Sequence, residues 1–376
     1  MSPTMPPLLH APMPSGEDTL SRRQALRAGL ACGLGALGVS AQAQEKKPAW
    51  PQRPIQMIVP WPAGGATDLT LRVLNEEAEP LLGQRVVVVN RPGAAGTLVG
   101  PLLKAAEPDG YTIGQIPITI YRHALMFQST PLSGRILKRL PSSQMNSIPP
   151  KEEVSNRVDC NPVRDLAPIL QVSGVTFGLL VPASSPWKSL ADLLAWAQKH
   201  PGELLLGSTG IGTTAHLAME EILLAQKIPY VHIPYKGTTE QMLAIASGQL
   251  MAGVNSTGFA PWVDQGKMRL LAIFSAERSP RWPQVPTLRE LGYTRSVYTS
   301  PWGLAAPHGT PPAIVQTLHN AFHQATISPR HRAALARYDQ DISYLNTAAY
   351  QQAILDTVER EKALLGRMKL LAPPAS

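Results

Sequence analysis

The chain is short of cysteine, of charge and of long apolar runs, and each shortage excludes a class of protein. Only two cysteines occur among 376 residues. Cys32 lies in a glycine-rich stretch near the N-terminus, which leaves Cys160 alone in the remainder, so no internal disulfide is expected. Charged residues make up 16% of the chain; Lys and Arg outnumber Asp and Glu by 34 to 26, but the positives are scattered singly or in pairs. No basic block with interleaved aromatics occurs, hence no nucleic-acid footprint. A mild positive field would help to gather small anions. The apolar run Ala28 to Ser40 is too short for a membrane span, which needs ~20 residues. Catalytic signatures are also scarce. There is no G-x-S-x-G elbow. His319 and His323 stand four apart on a predicted helix, but Asn320 replaces the base of an H-E-x-x-H motif and no third ligand is evident. Neither an enzyme, a metal nor a cofactor is expected.

What is present begins with a targeting segment. Ser21-Arg22-Arg23-Gln24 precedes the apolar run, and Ala41-Gln42-Ala43 is a small-x-small cleavage pattern. Residues 1–43 therefore read as an export signal, twin-arginine-like or of the general secretory type, cleaved after Ala43. The chain is 44% hydrophobic, and the part beyond the signal is long enough for two domains with cores of their own.

Strand, glycine turn and helix recur along that remainder. Pro54 to Val59 reads as a strand, Trp61 to Asp68 as a turn, and Leu69 to Leu82 as a helix, with Thr67 or Asp68 as its N-cap. Leu204 to Gly207, the turn Ser208 to Thr213 and a helix from about Thr214 repeat the order. Such junctions bind anions, because the first N–H groups of a helix lack internal partners and the helix dipole favours negative charge there. Gly207 and Gly212 are spaced as in a phosphate-binding P-loop, but Thr213 replaces its lysine, so the turn suits a smaller anion such as a carboxylate. The predicted fold is α/β, with loops gathered at the carboxyl ends of the strands, where open sheets bind ligands. Residues 132–160 break the pattern and read as an inserted loop.

Several motifs occur in order from about residue 51 to the end. They include Pro60-Trp61-Pro62-Ala63-Gly64-Gly65-Ala66-Thr67-Asp68, Asn90-Arg91-Pro92-Gly93, Gly207-Ser208-Thr209-Gly210-Ile211-Gly212-Thr213, His232-Ile233-Pro234-Tyr235-Lys236-Gly237 and Gly303-Leu304-Ala305-Ala306-Pro307. With them the chain resembles the substrate-binding proteins of tripartite tricarboxylate transporters, the Bug-type receptors. The resemblance implies a two-lobed periplasmic binding protein fold of type II with a ligand cleft between the lobes. It implies lobe one at 51–173 with 277–376, lobe two at 174–276, a small anionic solute as ligand, and the permease subunits of a membrane transporter as partners. A monomer is expected. A sensor docking on a membrane signalling protein is the alternative role, and a P-loop-like nucleotide enzyme is a remote third.

The ligand-binding candidates are Trp61, Ala63, Gly64, Gly65, Thr67 and Asp68 from the first turn, and Ser208, Thr209, Gly210, Gly212, Thr213, Thr214 and His216 from the second, with Arg122, Tyr235 and Asn255. Arg122, after the expected strand end Ile118 to Tyr121, either holds a second carboxylate bidentately or makes a surface ion pair. His216 is either a ligand contact or a ring satisfied by turn groups. Trp61 and Tyr235 either wall the cleft or pack in the protein. Asn255 stands where many family members carry Asp, which disfavours amino-acid ligands and favours plain carboxylates.

Overall fold

The computed structural model describes residues 50–127, 160–294 and 299–371. The export signal, its cleavage point and residues 132–159 of the expected insert lie outside the described residues. In chain order the elements are β1 (Ile55–Val59), α1 (Ala66–Leu82), β2 (Val86–Asn90), α2 (Val99–Lys104), β3 (Thr112–Pro117), α3 (Thr119–Phe127), α4 (Pro162–Asp165), β4 (Leu166–Pro182), α5 (Leu190–Lys199), β5 (Leu205–Ser208) and α6 (Thr214–Ala225). Then follow β6 (Val231–Pro234), α7 (Thr238–Ala246), β7 (Ala252–Ser256), α8 (Ala260–Asp264), β8 (Met268–Ile273), β9 (Thr299–Pro307), α9 (Pro312–Thr326), α10 (Pro329–Ala336), β10 (Asp341–Leu345) and α11 (Thr347–Met368).

The strands join in the order β2-β1-β3-β9-β4-β7-β5-β6, with β8 and β10 also pairing with β4. β1 pairs in parallel with β2 and β3, and β5 in parallel with β6 and β7, as expected for strand–helix–strand units with helical crossovers. β4 joins the two sets. Leu166 to Thr176 pairs with β9, and Phe177 to Leu180 pairs with β7. The sequence reads Leu166–Gln171 and Phe177–Pro182 as separate strands; the chain between them stays extended because β9 and β10 pair with it.

Burial follows the pattern that the composition leads one to expect. Leu71 and Leu74 of α1 share a buried core with Met57 of β1 and Ile113 of β3, and Leu217, Met219 and Leu223 of α6 share it with Leu206 of β5, all fully or nearly fully buried. Helix starts are marked locally. Ser189 and Asp192 form a capping box at α5, and Thr213, Ser328 and Asn346 cap α6, α10 and α11 through their side chains. Two local expectations are corrected. The N-cap of α1 is Gly65, with Thr67 and Asp68 already inside the first turn. Ile118 to Tyr121 is not a strand end: helix α3 starts at Thr119, and Ile120 and Tyr121 pack against Tyr350 and Ile354 of α11.

Candidate functional site

A cleft of about 610 Å³ opens where the β1–α1, β5–α6 and β6–α7 junctions converge. Trp61, Ala63, Gly64, Gly65 and Thr67 line it from the first junction, and Thr209, Thr213 and Thr214 from the second. Gly237, Thr238 and Thr239 add the start of α7, a third helix N-terminus that is absent from the sequence-based candidates. Gly65 and Gly237 are N-caps with extended backbone and no capping side chain. Nothing from the cap residue covers the first N–H groups of α1 and α7 beside the cleft, so these groups are available to an anion.

Other candidates shape these junctions without lining the cleft. Asp68 is buried, accepts from the Gly64 N–H at 2.9 Å, from Arg72 Nε at 3.0 Å and from Asn90 Nδ2 at 2.8 Å, and thereby ties the glycine turn to α1 and β2. Burial alone would raise its carboxyl, but the hydrogen bonds from Arg72, Asn90 and Gly64 outweigh burial and hold it below the usual range. The buried Ser208 hydroxyl accepts from the Gly210 N–H at 3.2 Å and lies 2.7 Å from His232 Nε2. His216 accepts from the Gly212 N–H at 3.2 Å and stacks on His232 with ring centroids 4.2 Å apart. Burial keeps both imidazoles neutral, pushing His216 below its ordinary value and His232 well below. Gly210 and Gly212 have positive φ of 130° and 74°, conformations that suit glycine in this turn.

Arg122 is neither at the surface nor in the cleft. Its guanidinium is gripped by both Glu361 carboxylate oxygens at 2.6 and 2.9 Å, and its Nη1 donates to the Gly212 carbonyl at 2.9 Å and to Thr214 Oγ1 at 3.2 Å. The arginine fork thus joins α3 and α11 to the α6 turn. Asn255 is buried, donates to Gln241 Oε1 and accepts from Thr238 Oγ1 at 3.2 Å, steadying the start of α7. Tyr235 packs at the edge of the cluster around Met242, Phe259 and Trp282, and its N–H bonds the Ser208 carbonyl at 2.8 Å.

The floor of the cleft comes from residues that sequence reasoning missed: Gln115 and Pro117 of β3, Ser300 and Trp302 of β9, and Val175 and Phe177 of β4. The one available signal was Gln115, a lone amide near the carboxyl end of an otherwise apolar strand. The two sides of the cleft also meet at its edge and beside it. A Cβ placed on Gly210 would lie 3.3 Å from the Ala95 Cβ, and one on Gly237 would lie 2.7 Å from the Pro62 side chain.

A mixed sheet bridged by one long strand, with helix N-termini from both sides facing one cleft, defines a two-lobed periplasmic solute-binding protein. The sequence matches the Tripartite tricarboxylate transporter family receptor over residues 70–149 and 142–370, and the chain belongs to that family. It is 41% identical over 345 residues to a UPF0065 protein in the gbd 5' region of Cupriavidus necator, covering 92% of this chain and 96% of that protein. The structure of the periplasmic binding protein BugD superposes with a TM-score of 0.73 at 26% identity, covering 86% of this chain and 99% of that one. A Rhodopseudomonas palustris protein solved with adipate superposes at 0.71 and 25% identity, covering 85% and 98%.

Proposed function

We propose that this chain is an exported receptor that clamps a small carboxylate between its lobes and passes it to the membrane subunits of a tripartite transporter. The observation that carries this reading is the convergence of three helix N-termini on one cleft, those of α1 and α7 without a capping side chain: Gly64 to Thr67 from one side, Thr213, Thr214 and Gly237 to Thr239 from the other. An anion held by both sides favours the closed form, since only that form satisfies both sets of donors. The adipate seen in the Rhodopseudomonas palustris relative supports a carboxylate as ligand. We place the lobes at residues 51–173 with 277–376, and 174–276. The change of partner along β4, from β9 at Thr176 to β7 at Phe177, supports a hinge close to that boundary.

Nothing in this reading requires chemistry from the protein. The Lys position of a phosphate loop is held by Thr213, whose hydroxyl accepts from the His216 N–H at 3.3 Å and donates to the Gly210 carbonyl at 2.8 Å, so it serves as a cap. The test is a thermal-shift screen against mono-, di- and tricarboxylates. The true ligand at a hundredfold excess over its Kd should add about 3 kcal/mol of stability. No stabilisation by any carboxylate would refute the reading.

A further inference from the structure

Gln115 is the side-chain amide that β3 contributes to the cleft. Alternate residues of a strand point to one face, so Ile113, Gln115 and Pro117 share theirs. Ile113 shares a core with Leu71 and Leu74 of α1. Gln115 follows nearer the carboxyl end of β3, toward the start of α1, where Gly65 is the N-cap. Its side chain meets Trp61, just before that cap, and lines the cleft with Gly64, Gly65 and Thr67.

The amide is held in one orientation. Trp61 Nε1 donates to Gln115 Oε1 at 3.0 Å. An indole nitrogen only donates, so the amide oxygen faces Trp61 and the amide nitrogen faces away. The indole has little room to shift. A Cβ on Gly96, whose φ is 85°, would lie 3.0 Å from its six-membered ring, and the Trp61 carbonyl accepts from Asn90 Nδ2 at 2.9 Å. Gln115 is 2% exposed, and its Nε2 bonds no described residue. A donor buried without a partner costs free energy until an acceptor meets it.

We propose that Gln115 is a ligand-binding residue and, with Trp61, the pair by which the receptor tells a carboxylate from the matching carboxamide. Gln115 Nε2 donates to the same carboxylate that the N–H groups at the start of α1 hold. Because Trp61 occupies Oε1, this side chain offers the cleft N–H groups and no acceptor. A carboxylate oxygen meets them. The NH2 of a carboxamide in that place would set N–H against N–H; turned round, it would face the main-chain N–H groups of the helix start instead. This rests on the carboxylate reading above.

The test compares acids with their amides by calorimetry on the purified protein and on Gln115→Met and Trp61→Phe. The acids are hexanoate, benzoate, adipate, malate and citrate; their partners are hexanamide, benzamide, adipamide, malamide and citramide. The readout is the ratio of amide to acid dissociation constants, because lost packing or a loosened fold weakens both members of a pair alike. In the unaltered protein the ratio for the tightest acid should be at least about a hundredfold. Gln115→Met removes one hydrogen bond to a charged group and should weaken the acid about ten- to a hundredfold, and the amide much less. Trp61→Phe frees the Gln115 amide to turn and offer Oε1 to the carboxamide, so the ratio should shrink about tenfold. A ratio unchanged in either variant would overturn the proposal and leave the carboxylate receptor standing, with Gln115 a support for Trp61 alone. Absence of binding by every acid would remove the receptor reading and this proposal with it.

Discussion

Gly65 sits at the N-cap of α1 with φ −75° and ψ 163°, ordinary extended backbone that any residue adopts. Asp there would cap the helix and gain a few tenths of a kcal/mol over glycine, yet would set a carboxylate in the proposed anion site. Gly65→Asp should therefore leave the melting temperature unchanged or raised while carboxylate binding is lost; retained affinity in calorimetry would contradict the placement of the anion. His216 and His232 set the acid limit. Burial lowers His216 below the ordinary value of 6.5, and lowers His232 well below it, with the neighbouring imidazole adding to the effect on His232. Unfolding frees both rings to take protons near pH 6.5, so the unfolded chain binds more protons than the folded one as the pH falls. Their contribution to stability is complete above about 6.5 and declines below it. Melting curves from pH 7 to 5 should show this fall, and His232→Gln should flatten it. At this scale the sequence exposed the glycine turns, because the residue types themselves dictate the backbone. It did not expose Arg122, whose environment depends on Glu361, 239 residues away.

Among the described residues the most deeply buried ion pair between elements is the fork of Arg122 on Glu361, with 1% and 7% of the two side chains exposed. Glu361→Gln would leave a buried guanidinium without its counter-charge, and such losses cost about 3–5 kcal/mol. Chemical denaturation should report a drop of that size. Because Arg122 also holds the Gly212 carbonyl and Thr214 Oγ1, the same variant should weaken carboxylate binding beyond what stability loss explains. The strand–turn–helix order of β1–α1 and β5–α6 was legible because hydrophobic runs, glycines and caps are local signals. The helix at Thr119 was not, since Ile118-Thr119-Ile120-Tyr121 has the β-branched and aromatic content of a strand and becomes helical through packing on Tyr350 and Ile354. The three-strand floor was equally hidden, because β3, β4 and β9 are far apart in sequence and meet only in the sheet.

For the whole molecule, the proposed function turns on closure. Gly210 lies against Ala95, Gly212 against His123 and Met126, and Gly237 against Pro62, so short residues set how closely the two sides approach. A bulky side chain at Gly237, whose φ of −164° is ordinary extended backbone, would wedge against Pro62. Gly237→Leu should thus lower ligand affinity at least about tenfold with a near-normal melting temperature in the absence of ligand. Unchanged affinity would mean that this contact plays no part in closure. The two-lobed architecture was accessible from the sequence through ordered motifs spread along most of the chain, and the path of β4 through both sets of strands required the structure. The most direct measurement is a crystal structure of the protein with the acid that stabilises it most. Carboxylate oxygens are expected within hydrogen-bond distance of main-chain N–H groups at both the Gly64–Asp68 and the Thr213–Thr214 junctions. A carboxylate that touches one junction alone, or that lies outside this cleft, would contradict the proposed function.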